Sequence, residues 1–173
     1  HVPPHRGDVR ILTTGIFMRH RRFEDVIEAV SMLASRGVNA RLTIIGDQHN
    51  DRKYAEDVRT LVKEKDLESH VSFSGRVSEE ELVAGYQNNH IFIFPNDPQT
   101  WGLAVFEAMA CGTPVIVSRG AGAHEVLTDR ENALLISPRA PQDIAAAVEL
   151  LGSDGSFYTA LSRNGRAFVE KNI

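Results

Sequence analysis

The feature that most constrains this chain is its alternation. Short β-branched or apolar runs, the first three stopping at glycine, take turns with stretches patterned at helical spacing. Residues 9–15 (Val-Arg-Ile-Leu-Thr-Thr-Gly) read as a strand entering a glycine turn. Residues 23–35 then place Phe23, Val26, Ile27, Val30 and Leu33 on one helical face before Gly37. Further strands are predicted at 41–46, 71–75, 91–94, 114–118 and 133–136. Helices are predicted at 51–65, from Ser78 onward, and at 103–111, 141–151 and 157–169, with a helical turn at 125–127. Ser78 and Glu81 have the spacing of a capping box. Ile91, Phe92, Ile93 and Phe94 have no polar alternate, as in a strand covered on both faces. Connections this short admit few topologies, and the pattern predicts an α/β fold with a doubly wound, parallel, six-stranded, Rossmann-like sheet.

No repeat, low-complexity segment or linker interrupts the pattern, so residues 1–173 are read as one domain. The chain opens on His1-Val2-Pro3-Pro4 without a Met, and we expect a piece of a longer protein. A net charge of −4 argues against nucleic acid as a generic partner, because phosphate binding needs a basic surface. Cys111 is the single cysteine and cannot form an internal disulfide, so a reducing, cytoplasmic location is expected. No apolar run approaches the ~20 residues needed to cross a bilayer.

In doubly wound sheets ligands bind beyond the carboxyl ends of the strands. Those ends fall here in loops 15–22, 46–50, 75–77, 96–102 and 119–124. The helix at 103–111 is apolar on every side except Glu107, which predicts a buried helix carrying a costly carboxylate. Either the fold or a ligand must donate hydrogen bonds to it. Gly102 opens the same helix, leaving room for a phosphate at the free amides or simply making a tight turn. Arg19, His20, Arg21 and Arg22 form the only dense basic cluster, and guanidinium groups there could clamp a diphosphate. His20, His49, His70, His90 and His124 lack metal-ligand spacing and are read as structural or surface residues; no metal site is expected. A Walker loop, a nucleophile elbow and a dinucleotide fingerprint are all missing.

Taken as an ordered series, these segments resemble the C-terminal, donor-binding domain of a GT-B retaining glycosyltransferase, more narrowly glycosyltransferase family 4 (glycosyl transferases group 1). The resemblance runs from about Val9 to the end. It rests on Gly15 with its basic loop, residues 42–47 (Leu-Thr-Ile-Ile-Gly-Asp), residues 71–77 (Val-Ser-Phe-Ser-Gly-Arg-Val) and residues 101–116 (Trp-Gly-Leu-Ala-Val-Phe-Glu-Ala-Met-Ala-Cys-Gly-Thr-Pro-Val-Ile). It implies that Glu107 holds a ribose, that the amides of Gly102, Leu103 and Ala104 hold a diphosphate, and that Arg76 and Val77 contact the base. Gly15, Gly46 and Asp47 would complete the donor site, with Thr100 and Trp101 in a loop that selects the sugar. Arg21 falls on the family's usual Lys. The family's Arg after the first-strand glycine falls on Ile16, leaving Arg19 or Arg22 to replace it.

One departure matters most. The family carries Glu, seven residues, Glu; this chain has Gln99 eight positions before Glu107. Gln99 and Glu107 are thus the catalytic candidates, but an amide cannot act as a carboxylate nucleophile. The resemblance then implies front-face retention, with the donor phosphate taking the acceptor proton. It further implies hexosyl transfer, mannosyl among the choices, from a nucleoside-diphosphate sugar with no cofactor. The acceptor, a saccharide or lipid-linked sugar, would be held by an absent N-terminal domain, so the isolated piece is expected to be inactive. Peripheral association with the inner face of a membrane is compatible with such an acceptor. The alternatives are a non-catalytic nucleotide-sugar-binding module and a GT-B nucleotide-sugar epimerase.

Overall fold

A computed structural model describes residues 1–5, 7–98 and 100–173. Six parallel strands, β1 (Asp8–Thr14), β2 (Asn39–Ile45), β3 (Val71–Gly75), β4 (Ile91–Phe94), β5 (Val115–Ser118) and β6 (Leu134–Ile136), form one sheet in the order β3-β2-β1-β4-β5-β6. The order reverses between β1 and β4, so the loops leaving those two strands diverge and open a crevice. Six helices connect or follow the strands: α1 (Phe23–Ser35), α2 (Arg52–Glu64), α3 (Glu79–Asn88), α4 (Leu103–Ala110), α5 (Pro141–Ser153) and α6 (Gly155–Asn172).

The sheet is buried on both faces because its strands are apolar at successive positions. Ile91 and Ile93 of β4 join Ile11 and Ile116 in a core beneath α1, α2 and α5. Phe92 and Phe94 turn the other way, with Leu12, Val115 and Val117, into a second core beneath α3 and α4. Period-two geometry divides each strand between the two cores.

Strand and helix types agree with the sequence pattern, and boundary differences have local causes. β2 starts at Asn39 because Asn39 N–H donates to Gly7 O (2.6 Å) and pairs in register with Asp8. α6 starts at Gly155 because the Asp154 carboxylate caps Phe157 N–H at 2.9 Å. The expected capping box at Ser78 and Glu81 is complete. Loop 15–22 contains an unanticipated 3₁₀ turn, Arg19–Arg21, and the turn expected at 125–127 is a 3₁₀ segment, Gly122–Val126. Among the described residues no helix is long and apolar enough to cross a membrane.

His90 ties the start of β4 to β1. Arg10 N–H donates to its Nδ1 (3.0 Å), and His90 N–H donates to Arg10 O (2.9 Å). Tyr158 O–H donates to His90 O at 2.8 Å. An amide can only donate, so Nδ1 accepts and the ring is neutral. Burial, reinforced by the Arg10 charge, pushes its pKa below the ordinary histidine value. This stabilisation is fully present above the unfolded-state value of about 6.5 and is lost as pH falls through the depressed folded value. Thermal melts should therefore show Tm dropping below about pH 6.5. His90→Gln, which keeps an acceptor but does not titrate, should show a shallower drop; an unchanged slope would dissociate His90 from the effect.

Candidate functional site

The ends of β1, β2 and β3 are stitched together where the loops leave. Gly15 N–H donates to Ile45 O (2.9 Å), Gly46 N–H to Gly75 O (2.8 Å), and Phe17 N–H to Asp47 O (2.8 Å). Gly46 is required by this approach: a Cβ there would lie 1.8 Å from Gly15 O. Above this floor lies a cleft of about 320 Å³. It gathers Gly15, Gly46, Asp47, Arg76, Val77, Ala104 and Glu107 from the residues singled out in the sequence. Leu82 and Tyr86 of α3 complete its wall and were not anticipated.

A larger open hollow, about 650 Å³, adjoins it on the α2 side and shares Asp47, Gly75 and Arg76. Size does not decide between them. Only the smaller cleft reaches α4, with its free amides and Glu107.

α4 differs from the expectation of a helix buried all round. Val105, Phe106, Ala108 and Met109 are buried, but Leu103 is 66% exposed, and Glu107 and Ala110 face outward. The Glu107 carboxylate is therefore not sunk in the core, and its partner is not a buried Arg. Its Oε2 accepts from the Tyr86 hydroxyl at 2.9 Å. Tyr86 is itself buried, edge-on to Phe92 with centroids 5.4 Å apart, and burial followed by the Glu107 charge raises its pKa. Only the chain crossing from α3 to α4 reveals this pair, since the two residues stand far apart in sequence.

Gly102 is the αL residue before α4, with φ +94°, and a Cβ there would stand 2.9 Å from Phe94 Cε1. The turn and its packing demand glycine, whether or not a ligand comes near. Val105 N–H already donates to Gly102 O (2.9 Å), so Leu103 and Ala104 carry the unspent amides of the helix start.

The basic cluster resolves into three different environments. Arg22 is clamped to Asp25 (Nη2, 2.9 Å) and Glu24 (Nη1, 2.8 Å). Arg19 is exposed, paired with Asp57 at 2.9 Å and lying over the Tyr54 ring. Arg21 has no carboxylate partner among the described residues. It is half-buried against Gly15, where an added Cβ would meet its Nε at 2.8 Å, and that buried Nε lacks a hydrogen-bond partner. Burial lowers its pKa from the ordinary arginine value, yet the group stays cationic. His20 beside it also has a buried, unpartnered Nε2, and burial together with the Arg21 charge pushes its pKa down.

Asp47 is held by His49, whose N–H (2.8 Å) and Nδ1 (2.9 Å) both meet Oδ1, and Arg76 lies 3.7 Å from Oδ2. These contacts, His49 first, lower the Asp47 pKa. Thr100 is tied down through Asn96 Nδ2 to its Oγ1 (2.7 Å) and Gly122 N–H to its carbonyl (3.0 Å). Trp101 stands outside the cleft wall and is half exposed. Gln99 lies outside the described residues. Among the described residues no cluster of three or more His, Cys, Asp or Glu side chains is placed to hold a metal ion.

The family model described as glycosyl transferases group 1 matches residues 3–168. The chain belongs to this family. A group 1 relative, the D-inositol 3-phosphate glycosyltransferase of Pseudarthrobacter chlorophenolicus, is 27% identical over 159 residues, 91% of this chain and 37% of the relative. The chain spans 35–40% of the length of the curated relatives it matches first. Among solved structures, the C-terminal domain of the group 1 protein LpcC from Francisella tularensis superposes with TM-score 0.85 at 23% identity. That match covers 97% of this chain and 87% of the other. HepE of Anabaena, solved with UDP and glucose, superposes with TM-score 0.87 at 18% identity, covering 96% and 45%. At these identities the two structures establish the fold: a GT-B-type C-terminal domain.

The group 1 floor depends on backbone contact at Gly46. Gly46→Ala should destabilise the domain by about 3 kcal/mol or more, because the new Cβ overlaps a carbonyl held in the ladder. Gly75→Ala, at φ +66° with nothing within 4 Å, should cost only about 1–2 kcal/mol. Urea unfolding midpoints would rank the two, and equal losses would refute the close-approach account.

Proposed function

We propose that this chain is the donor-binding domain of a retaining hexosyltransferase of glycosyltransferase family 4, using a nucleoside-diphosphate sugar. The observation that carries the reading is one cleft that brings the start of α4, with its unspent amides, and the outward Glu107 carboxylate together with Gly15. Against Gly15, behind the cleft floor, lies the Arg21 guanidinium, which has no carboxylate partner among the described residues. The amides of Leu103 and Ala104 and the Arg21 charge would hold the diphosphate. Glu107, with Tyr86 orienting one oxygen, would accept the ribose hydroxyl hydrogens. The base would lie along Gly75, Arg76 and Val77, beside Leu82. That HepE was solved with UDP and glucose, on the same fold, supports a nucleotide in this cleft.

In the transfer step the acceptor oxygen attacks the sugar C1 on the face the diphosphate leaves. The C1–O(phosphate) bond breaks as the new glycosidic bond forms, and the acceptor proton passes to the departing phosphate oxygen. Configuration is retained. Arg21 and the helix terminus would stabilise the charge on the leaving diphosphate without a resident metal ion. Gln99, by its place in the sequence, would hydrogen-bond the sugar or that phosphate. The acceptor, a saccharide or lipid-linked sugar, would be bound by an N-terminal domain outside this chain, with peripheral membrane association for a lipid-linked one. Gln99 in place of a carboxylate also favours a second reading, a non-catalytic nucleotide-sugar-binding module. Sugar transfer from labelled donor by the full-length protein separates the two.

Calorimetry with UDP, GDP and ADP tests the donor site. Arg21→Ala should weaken the preferred nucleotide by about 10- to 100-fold, the weight of a charged hydrogen bond. Arg22→Ala, provided it folds, should leave affinity unchanged. Glu107→Gln should weaken the nucleotide about tenfold but not its 2′,3′-dideoxy analogue. Equal effects on both sugars would remove the ribose role from Glu107.

A further inference from the structure

Asp97 is the point at which the loops leaving four strands meet. It stands in the segment that leads from β4 to α4. Its N–H donates to His20 O (2.9 Å), which ties it to the basic loop after β1. Its carboxylate Oδ2 accepts from Arg139 Nε, in the turn between β6 and α5. Gly120, after β5, passes so close that a Cβ there would stand 2.8 Å from Asp97 Oδ1 and 3.0 Å from Asn96 O.

Arg139 reaches this contact from an uncommon backbone state. Its φ is +54°, in the left-handed region that a side chain disfavours. Its guanidinium side chain is 60% exposed, against 19% for Asp97. An ion pair this open adds little to stability. A strained backbone that presents a guanidinium for so small a gain is better explained as a restraint on loop geometry.

The two tethers of Asp97 bear on both halves of the proposed diphosphate site. His20, whose carbonyl Asp97 holds, directly precedes Arg21. In the other direction the chain beyond Asp97 leads to the unspent amides of α4. The spacing between that cation and those amides is therefore set through Asp97.

Resting on the donor-domain reading above, we propose that Asp97 and Arg139 are positioning residues. Their ion pair, with the Asp97 N–H bond to His20 O, fixes the spacing of Arg21 from the α4 amides and so the fit to a diphosphate. Both act through Arg21 and the amides without contacting the nucleotide.

Calorimetry on the full-length protein with UDP, GDP and ADP identifies the nucleotide to be used. Arg139→Gly removes the guanidinium and accepts the left-handed φ, so the thermal midpoint should stay within about 2 °C of the parent. Nucleotide affinity should nevertheless fall about three- to tenfold. Arg139→Lys should restore most of it. Asp97→Asn, which keeps the size and the N–H but not the charge, should repeat the loss if Arg139→Gly proves unstable. The deciding measurement is a double-mutant cycle with Arg21→Ala. In that background Arg139→Gly should cost no further affinity, because the cation whose spacing it sets is gone. A contact that only supports the fold would weaken binding equally with or without Arg21. Unchanged affinity in both single variants, or equal losses in the two backgrounds, overturns the proposal and leaves the donor site standing. If no nucleotide binds the parent protein, the donor-domain reading fails and the positioning role fails with it.

Discussion

The contact between Gly46 and Gly15 underlies the rest of this domain. Two parallel strands end with a carbonyl of one lying where the other would carry its Cβ. That approach lets Gly15 N–H, Gly46 N–H and Phe17 N–H continue the ladder past the strand ends, so loops that would otherwise splay are joined to the sheet. Backbone groups that would be unpaired there are satisfied. The cleft floor is thus main chain, and side chains enter it from α3, α4 and the loops after β1, β2 and β3.

Electrostatic selection follows from that geometry. Three arginines lie within four consecutive positions, yet their surroundings differ. Arg22 and Arg19 each meet a carboxylate carried on a helix, α1 and α2 respectively. Arg21 instead lies against Gly15, which offers neither charge nor bulk. Among the described residues this half-buried cation has no counter-charge, a cost in free energy that a bound anion would relieve. The outward stripe of α4 sets its carboxylate one turn beyond the free amides. On the donor-site proposal, the amides and Arg21 would take the diphosphate and Glu107 the ribose.

Much of this was legible in the sequence because it arises locally. Ile91 to Phe94 had to be a two-faced strand, and Ser78 with Glu81 had to start a helix. The glycines after β1, β2 and β3 marked the loops that form the cleft. What was misread depended on orientation. Composition made α4 look buried on all sides, whereas its Leu103, Glu107 and Ala110 stripe is exposed. For Gly102 the sequence left a ligand approach and a tight turn both open, and Phe94 with a positive φ shows that the turn by itself requires glycine.

The sequence by itself determined the layer architecture, the strand-end position of the site and the residue types available to it. These follow from hydrophobic period and turn chemistry, which act over a few neighbouring residues. Tertiary structure alone decided which charges are cancelled and which remain. Arg22 reaches its carboxylates within its own helix start, Arg19 reaches across to α2, and Glu107 meets a tyrosine from α3. Such pairings depend on how helices dock on the sheet, and no local pattern encodes that distance.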